Sequence, residues 1–288
     1  MILIQCVNCN QRTNFKETSL IKTQKCLYCG YEYKSSVKYL KFDYTSLLKK
    51  NYKKNYLLNQ VLNNNALLSY ITQKDASLSL PYRKDVTNFR LFIERSILHR
   101  KRVNDKFKIL DIGCGPLKLP GYLQFSNKLH GCKLYGIDPI DKRSFNGYRV
   151  VGTAEYMPFV NDYFDAIIFA TSLDHLCSLE KTIFETYRVL KNNGLVLIWM
   201  SDRSRFLQKN IKELIANLLF YLKNGYRQEK YYFTSKTHLY YIPDGAVDPF
   251  HSFNETPDLI KKCFEKNNME LIDYRHNNIN EVFLAFKK

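Results

Sequence analysis

The sequence has one tryptophan, 8 cysteines, 8 prolines and 11 glycines among its 288 residues. It contains no run approaching the ~20 apolar residues that cross a bilayer, which excludes a spanning helix. Eight cysteines are too few for a disulfide scaffold, and four of them fall in the first 29 positions. With 45% hydrophobic and 25% charged residues, neither a disordered nor a fibrous chain fits the composition. The opening Met1-Ile2-Leu3-Ile4-Gln5-Cys6 is too short and turns polar too soon for a signal peptide, so a cytoplasmic location is expected. The length accommodates one domain of roughly 180 residues plus a small one.

Acidic residues are scarce in the first third only. Residues 1–108 hold 21 Lys and Arg against 7 Asp and Glu, whereas residues 109–288 hold 23 against 20. Lys49-Lys50, Lys53-Lys54 and Arg100-Lys101-Arg102 carry the excess. Such a balance suits RNA, a phosphorylated glycan carrier or an anionic surface, and equally a solvated basic face in a Lys/Asn-rich chain.

Cys6-Val7-Asn8-Cys9 and Cys26-Leu27-Tyr28-Cys29 are two Cys-x-x-Cys pairs separated by sixteen residues. That spacing lets Cys6, Cys9, Cys26 and Cys29 supply four thiolates to one tetrahedral Zn²⁺. Gly30 gives the second turn its backbone freedom. A segment of ~40 residues buries too little apolar surface to fold alone, so the metal supplies the missing stabilisation. Residues 1–42 are therefore expected to form a structural zinc ribbon. Residues 43–105 read as a helical linker or cover. Leu47, Leu48, Leu57, Leu58, Val61, Leu62, Leu67, Leu68 and Ile71 recur at helical offsets, and Phe89, Phe92, Ile93 and Ile97 make one face of a second helix.

From residue 106 to 288 short apolar runs alternate with helical stretches, the pattern of a parallel sheet with helices on both faces. Strands are expected at 107–112, 133–137, 148–151, 164–171 and 195–200. Helices are expected at 179–190, 211–222 and 259–267, and closing strands at 271–275 and 281–286. Gly194 reads as the stop after the 179–190 helix. In Ile109-Leu110-Asp111-Ile112-Gly113-Cys114-Gly115, the glycines let the backbone approach a ligand beyond the first strand. Asp111 would repel a pyrophosphate and suits an ammonium. Asp138, ending Tyr135-Gly136-Ile137-Asp138, is placed to accept from ribose hydroxyls. A nucleoside with a cationic amino-acid end describes S-adenosylmethionine.

Residues 109–200 resemble class I S-adenosylmethionine-dependent methyltransferases of the type 11-like branch. The resemblance rests on Asp111-x-Gly113-x-Gly115, on Asp138, and on Gly152-Thr153-Ala154-Glu155-Tyr156-Met157-Pro158-Phe159 followed by Phe164-Asp165-Ala166-Ile167-Ile168. It ends with Glu185-x-x-Arg188-Val189-Leu190-Lys191-x-x-Gly194. It implies a doubly wound, Rossmann-like α/β sheet, mostly parallel with an antiparallel last strand. It also implies cofactor contacts from Asp111, Gly113, Cys114, Gly115, Asp138, Pro139, Thr153, Ala154 and Ala170. The sequence departs from the family pattern at Leu117, where a third glycine is usual, and at Thr153, where an adenine-facing Asp is common.

For the acceptor side, Asp174-His175 follows the fourth strand, and Asp248-Pro249-Phe250-His251 lies within a lid insertion at about 225–256. His251, His175 and Asp174 are the candidates for acid–base chemistry. These loops resemble methyltransferases of surface-polysaccharide synthesis, which implies a glycan or small-molecule acceptor. A four-cysteine ribbon ahead of a methyltransferase also resembles rRNA guanine methyltransferases, which implies RNA. A cofactor-binding protein without turnover is the third reading. The sequence does not give the oligomeric state.

Overall fold

The computed structural model describes residues 2–16, 18–52, 84–101, 103–125, 129, 131–141, 145–202, 256–278 and 281–288. The 211–222 helix expected from the sequence lies outside these residues, as do the insertion expected at about 225–256, except for Thr256, and residues 53–83 of the linker.

The N-terminal segment is built from two short hairpins. β1 (Ile2–Gln5) pairs antiparallel with β2 (Arg12–Phe15), and β3 (Lys22–Lys25) pairs antiparallel with β4 (Glu32–Ser36). β5 (Tyr39–Phe42) returns antiparallel to β4, and residues 44–52 are helical. The main body contributes β6 (Lys108–Ile112), β7 (Lys133–Asp138), β8 (Tyr148–Val151), β9 (Phe164–Ala170) and β10 (Leu190–Ser201). It closes with β11 (Glu270–Asn278) and β12 (Glu281–Lys287).

β1 and β2 form a two-stranded sheet of their own, and the other ten strands form one sheet in the order β11-β12-β10-β9-β6-β7-β8-β5-β4-β3. The run from β10 to β5 is parallel throughout, and β12 enters antiparallel between β10 and β11. Both faces are covered, which is why β9 is apolar along nearly its whole length instead of alternating. On one face Ile183 and Val189 of α2 (Leu179–Val189) and Ile260 and Phe264 of α3 (Pro257–Lys266) pack with Ile112, Ile167 and Ile198. On the other, Phe89, Phe92, Ile93 and Ile97 of α1 (Lys84–Leu98) pack with Trp199 and Phe283. The order reverses at β6: the chain moves out to β7 and β8, then returns to β9. This is the switch point beyond which ligands bind in doubly wound sheets.

Two features differ from the sequence reading. The α2 helix ends at Val189, five residues before Gly194, and Leu190 is already extended. The backbone amides of Asp162 and Tyr163 take the carbonyls of Arg188 and Val189 at 3.0 and 2.8 Å, which stops the helix there. Gly194 serves a different purpose, since a Cβ would lie 2.6 Å from the Leu190 side chain. The second difference is continuity. Tyr39, Leu40 and Lys41 of β5 pair in register with Arg149, Val150 and Val151 of β8, so the four-cysteine segment extends the same sheet.

Candidate functional site

The carboxyl ends of β6, β7, β8 and β9 converge at the switch point. After β6 the chain turns through Gly113 (φ +78°) and Gly115 (φ +62°), both in the left-handed region that favours glycine. A Cβ on Gly113 would lie 2.5 Å from the Cβ of Ser172, so the turn is closed against the loop after β9. The Ser172 hydroxyl donates to the Ile112 carbonyl at 2.6 Å and ties that loop to β6.

Asp111 is 1% exposed, and its Oδ2 accepts from the Tyr122 hydroxyl at 3.0 Å. Oδ1 is shut away from solvent and meets no donor among the described residues. Burial pushes this carboxyl up to about 7, with the neighbouring Asp138 adding to the effect and Arg149 opposing it. A buried acceptor without a donor carries a penalty, which a cationic partner relieves.

Asp138 accepts from the backbone amides of Gly115 and Ile140, each at 2.8 Å, and so joins the β6 turn to its own. Arg149 is 2% exposed and was not singled out from the sequence. Its Nη1 donates to the Gly115 carbonyl at 2.8 Å and to Cys114 Sγ at 2.6 Å, and its Nη2 donates to the Ile140 carbonyl at 2.5 Å. Nη2 also lies 3.7 Å from Asp138. The only signal for it was a charge inside the apolar run Tyr148–Val151. Tyr122, which holds Asp111, gave no signal at all. Cys114 is itself buried, with its sulfur against the Arg149 guanidinium.

Thr153 and Ala154 follow β8 and are buried, Pro139 follows β7, and Ala170 ends β9 at the same edge. The neighbouring Glu155 is turned inward. Its Oε1 accepts from the amides of Cys177 and Ser178 at 2.7 and 3.1 Å, and burial raises its pKa. Asp174 and His175 sit in the short 3-10 turn after β9, with Asp174 Oδ1 3.7 Å from His175 Nε2. Ser172 thereby places this pair directly behind the Gly113 turn. His251 and Asp248 lie outside the described residues.

Beside the β5-β4-β3 edge of the sheet the four cysteines come together. Sγ atoms of Cys6, Cys9, Cys26 and Cys29 all lie within 4.8 Å of one another. Cys6–Cys29 and Cys9–Cys26 are each separated by 3.7 Å. A tetrahedron with metal–sulfur bonds of about 2.3 Å has edges of about 3.8 Å, so the donor set fits Zn²⁺. The two turns repeat one geometry. The amides of Asn10 and Gly30 reach back to the carbonyls of Cys6 and Cys26, and both residues have positive φ, +60° and +71°. The Tyr33 hydroxyl contacts Cys6 Sγ at 3.2 Å, and the Asn8 amide donates to Cys29 Sγ at 3.5 Å. The Asn8 contact draws the Cys29 thiol down to about 6.

Comparison with known proteins bears on the switch-point half. Residues 110–198 match the family described as "Methyltransferase domain". That stretch of the chain is similar to a methyltransferase domain. It runs from β6 into β10, and so contains Asp111, the glycine turn, Asp138, Arg149 and the Asp174–His175 pair. Among curated proteins, an uncharacterised protein of Methanocaldococcus jannaschii is 31% identical over 180 residues, which cover 59% of this chain and 65% of the relative. The match thus spans a little under two thirds of that protein's length. Among solved structures, the 1,6-didemethyltoxoflavin-N1-methyltransferase of Burkholderia thailandensis aligns with a TM-score of 0.53 at 12% identity, over 80% of this chain and 88% of that one. That structure holds S-adenosylhomocysteine and 1,6-didemethyltoxoflavin. At this identity the likeness concerns the fold alone.

Proposed function

We propose that the protein is an S-adenosylmethionine-dependent methyltransferase acting on a hydroxyl or nitrogen of a glycan or other small acceptor. The carrying observation is Asp111: a buried carboxylate oxygen without a donor among the described residues, beside a glycine turn at the switch point. A ligand with an ammonium group next to a nucleoside supplies what that oxygen lacks. Asp138 would bind the ribose, while Pro139, Thr153 and Ala154 would flank the adenine, and Ala170 would close the site from β9. Gly113, Cys114 and Gly115 offer backbone rather than side chains. The cofactor, when bound, presents an electrophilic methyl on a sulfonium. The chain's own task is then to align the acceptor and remove its proton. We assign that task to Asp174 and His175; the Ser172–Ile112 hydrogen bond, which ties their loop to β6, supports the reading.

The test has two parts. Calorimetry on the full chain is expected to show one S-adenosylhomocysteine bound per chain; no binding at millimolar ligand would defeat the cofactor reading. Incubation with methyl-labelled S-adenosylmethionine and fractionated cell material is then expected to label the glycan or small-molecule fraction. Label recovered in RNA instead would transfer the acceptor to the second class implied by the basic N-terminal third.

A further inference from the structure

The four-cysteine segment does more than precede the methyltransferase domain; it touches both loops that leave β7 and β8. Tyr39 and Lys41 of β5 hold Asp141, through Oη–Oδ1 at 3.1 Å and Nζ–Oδ2 at 2.7 Å. The Tyr44 hydroxyl donates to the Pro139 carbonyl at 3.2 Å. On the second loop, Phe42 lies so close to Gly152 that a Cβ there would sit 2.5 Å from its ring. Asn51 donates to the Tyr156 hydroxyl at 2.5 Å. The loops are in turn linked to each other, since the Gly152 amide donates to the Asp138 carbonyl at 3.2 Å.

A continuous packed path leads back from these contacts to the sulfurs. Cys6 Sγ meets the Tyr33 hydroxyl, the Tyr33 and Phe42 rings lie 6.1 Å apart, and Phe42 abuts Gly152. Tyr33 and Phe42 are 1% and 3% exposed, so neither ring can move without its neighbours.

We propose that Phe42 and Tyr44 are positioning residues for the nucleoside half of the cofactor. They brace from outside the loops that carry Asp138 and Thr153, so that cofactor affinity requires the cysteine ribbon to be folded. The inference rests on the cofactor reading given above. Its energetic logic is preorganisation. A carboxylate and a backbone wall contribute to affinity only while held at the right separation, and ordering a loop on binding costs affinity. On the described residues, that ordering comes from β5 and the turn after it.

The test uses full-length protein and two ligands, S-adenosylhomocysteine and 5′-methylthioadenosine, the second lacking the amino-acid end. Tyr44→Phe is expected to weaken both ligands by the same factor, about 3- to 10-fold for one lost hydrogen bond, with the melting temperature of the ligand-free protein within about 2 °C of wild type. Phe42→Ala is expected to weaken both further, and Phe42→Leu, which refills most of the space against Gly152, to recover most of the loss. Leu20→Ser, at a 73%-exposed position away from these loops, is the control and leaves affinity unchanged. Asp111→Asn is expected to differ in kind, weakening S-adenosylhomocysteine and sparing 5′-methylthioadenosine. Wild-type protein that binds while Tyr44→Phe and Phe42→Ala bind within twofold of it overturns the bracing role and leaves the methyltransferase reading standing. Wild-type protein that binds neither ligand overturns both.

Discussion

Asp111 shows how much one side chain can say. Its position two residues before a glycine turn was legible, and so was its unsuitability for a phosphate. Its burial was not, because that depends on Tyr122, which reaches it from a turn 11 residues further along the chain. A carboxyl raised to about 7 in the fold and near 4 in the unfolded chain binds more protons when folded between those pH values. The stability of the ligand-free protein therefore falls as pH rises from about 4 to 7, by up to roughly 4 kcal/mol, and stays lower above. Asp111→Asn is expected to remove this slope and to raise the melting temperature at pH 8, as read by calorimetric scans at pH 5, 6.5 and 8. Ligand binding should show the opposite trend. An ammonium recruits the ionised form, so wild-type affinity for S-adenosylhomocysteine is expected to rise as pH increases from 5.5 to 7, with release of a proton. Arg149 was illegible for a different reason. A lone arginine in a short strand says nothing of its partners, and here these are Gly115, Cys114 and Ile140, brought together by the crossover.

At the scale of elements, the described strands and helices of the main body were readable, most to within three residues, because both-face burial writes itself as apolar runs; β10 alone among them starts five residues before the expected 195. Helix ends were less so. The Glu185-x-x-Arg188 pattern pointed to the family, but its physical use became visible only in three dimensions. Arg188 forks onto Glu185 at 2.7 Å and reaches the carbonyls of Met157 and Phe159 at 2.8 and 2.7 Å. It also reaches Gln5 of β1 at 3.0 Å. One guanidinium thus anchors the segment after Thr153 to α2 and to the first hairpin. Arg188→Leu is expected to cost about 2–4 kcal/mol in chemical denaturation, since it leaves Glu185 largely buried without its main partner. A loss below about 0.5 kcal/mol would show that the anchor is redundant. Lys181, 3.4 Å from Glu185, is the neighbour placed to take over.

For the whole molecule, the two ends of the sequence reading meet in a way that spacing alone does not encode. The cysteine pairs announced a metal site by their interval, and the alternating body announced a doubly wound sheet. Which edge of that sheet the small segment joins depends on β5, a four-residue strand, Tyr-Leu-Lys-Phe, with no motif to mark it. One zinc per chain is expected on elemental analysis, with Cys6, Cys9, Cys26 and Cys29 protected from thiol reagents until a chelator is added. Ready reaction of all four in the absence of chelator, with no metal found, would contradict the site.

The β5–β8 pairing has a practical consequence as well. β8 is four residues long, and Val150 and Val151 on it are almost wholly enclosed. Cutting the chain after residue 42 would strip that strand of its ladder partner and leave bare amides and carbonyls beside an apolar surface. Such an edge invites a second chain to add its own strand, and self-association follows. The first 42 residues are therefore expected to guard this side of the molecule against aggregation, so that a chain shortened to residues 43–288 self-associates where the full chain does not.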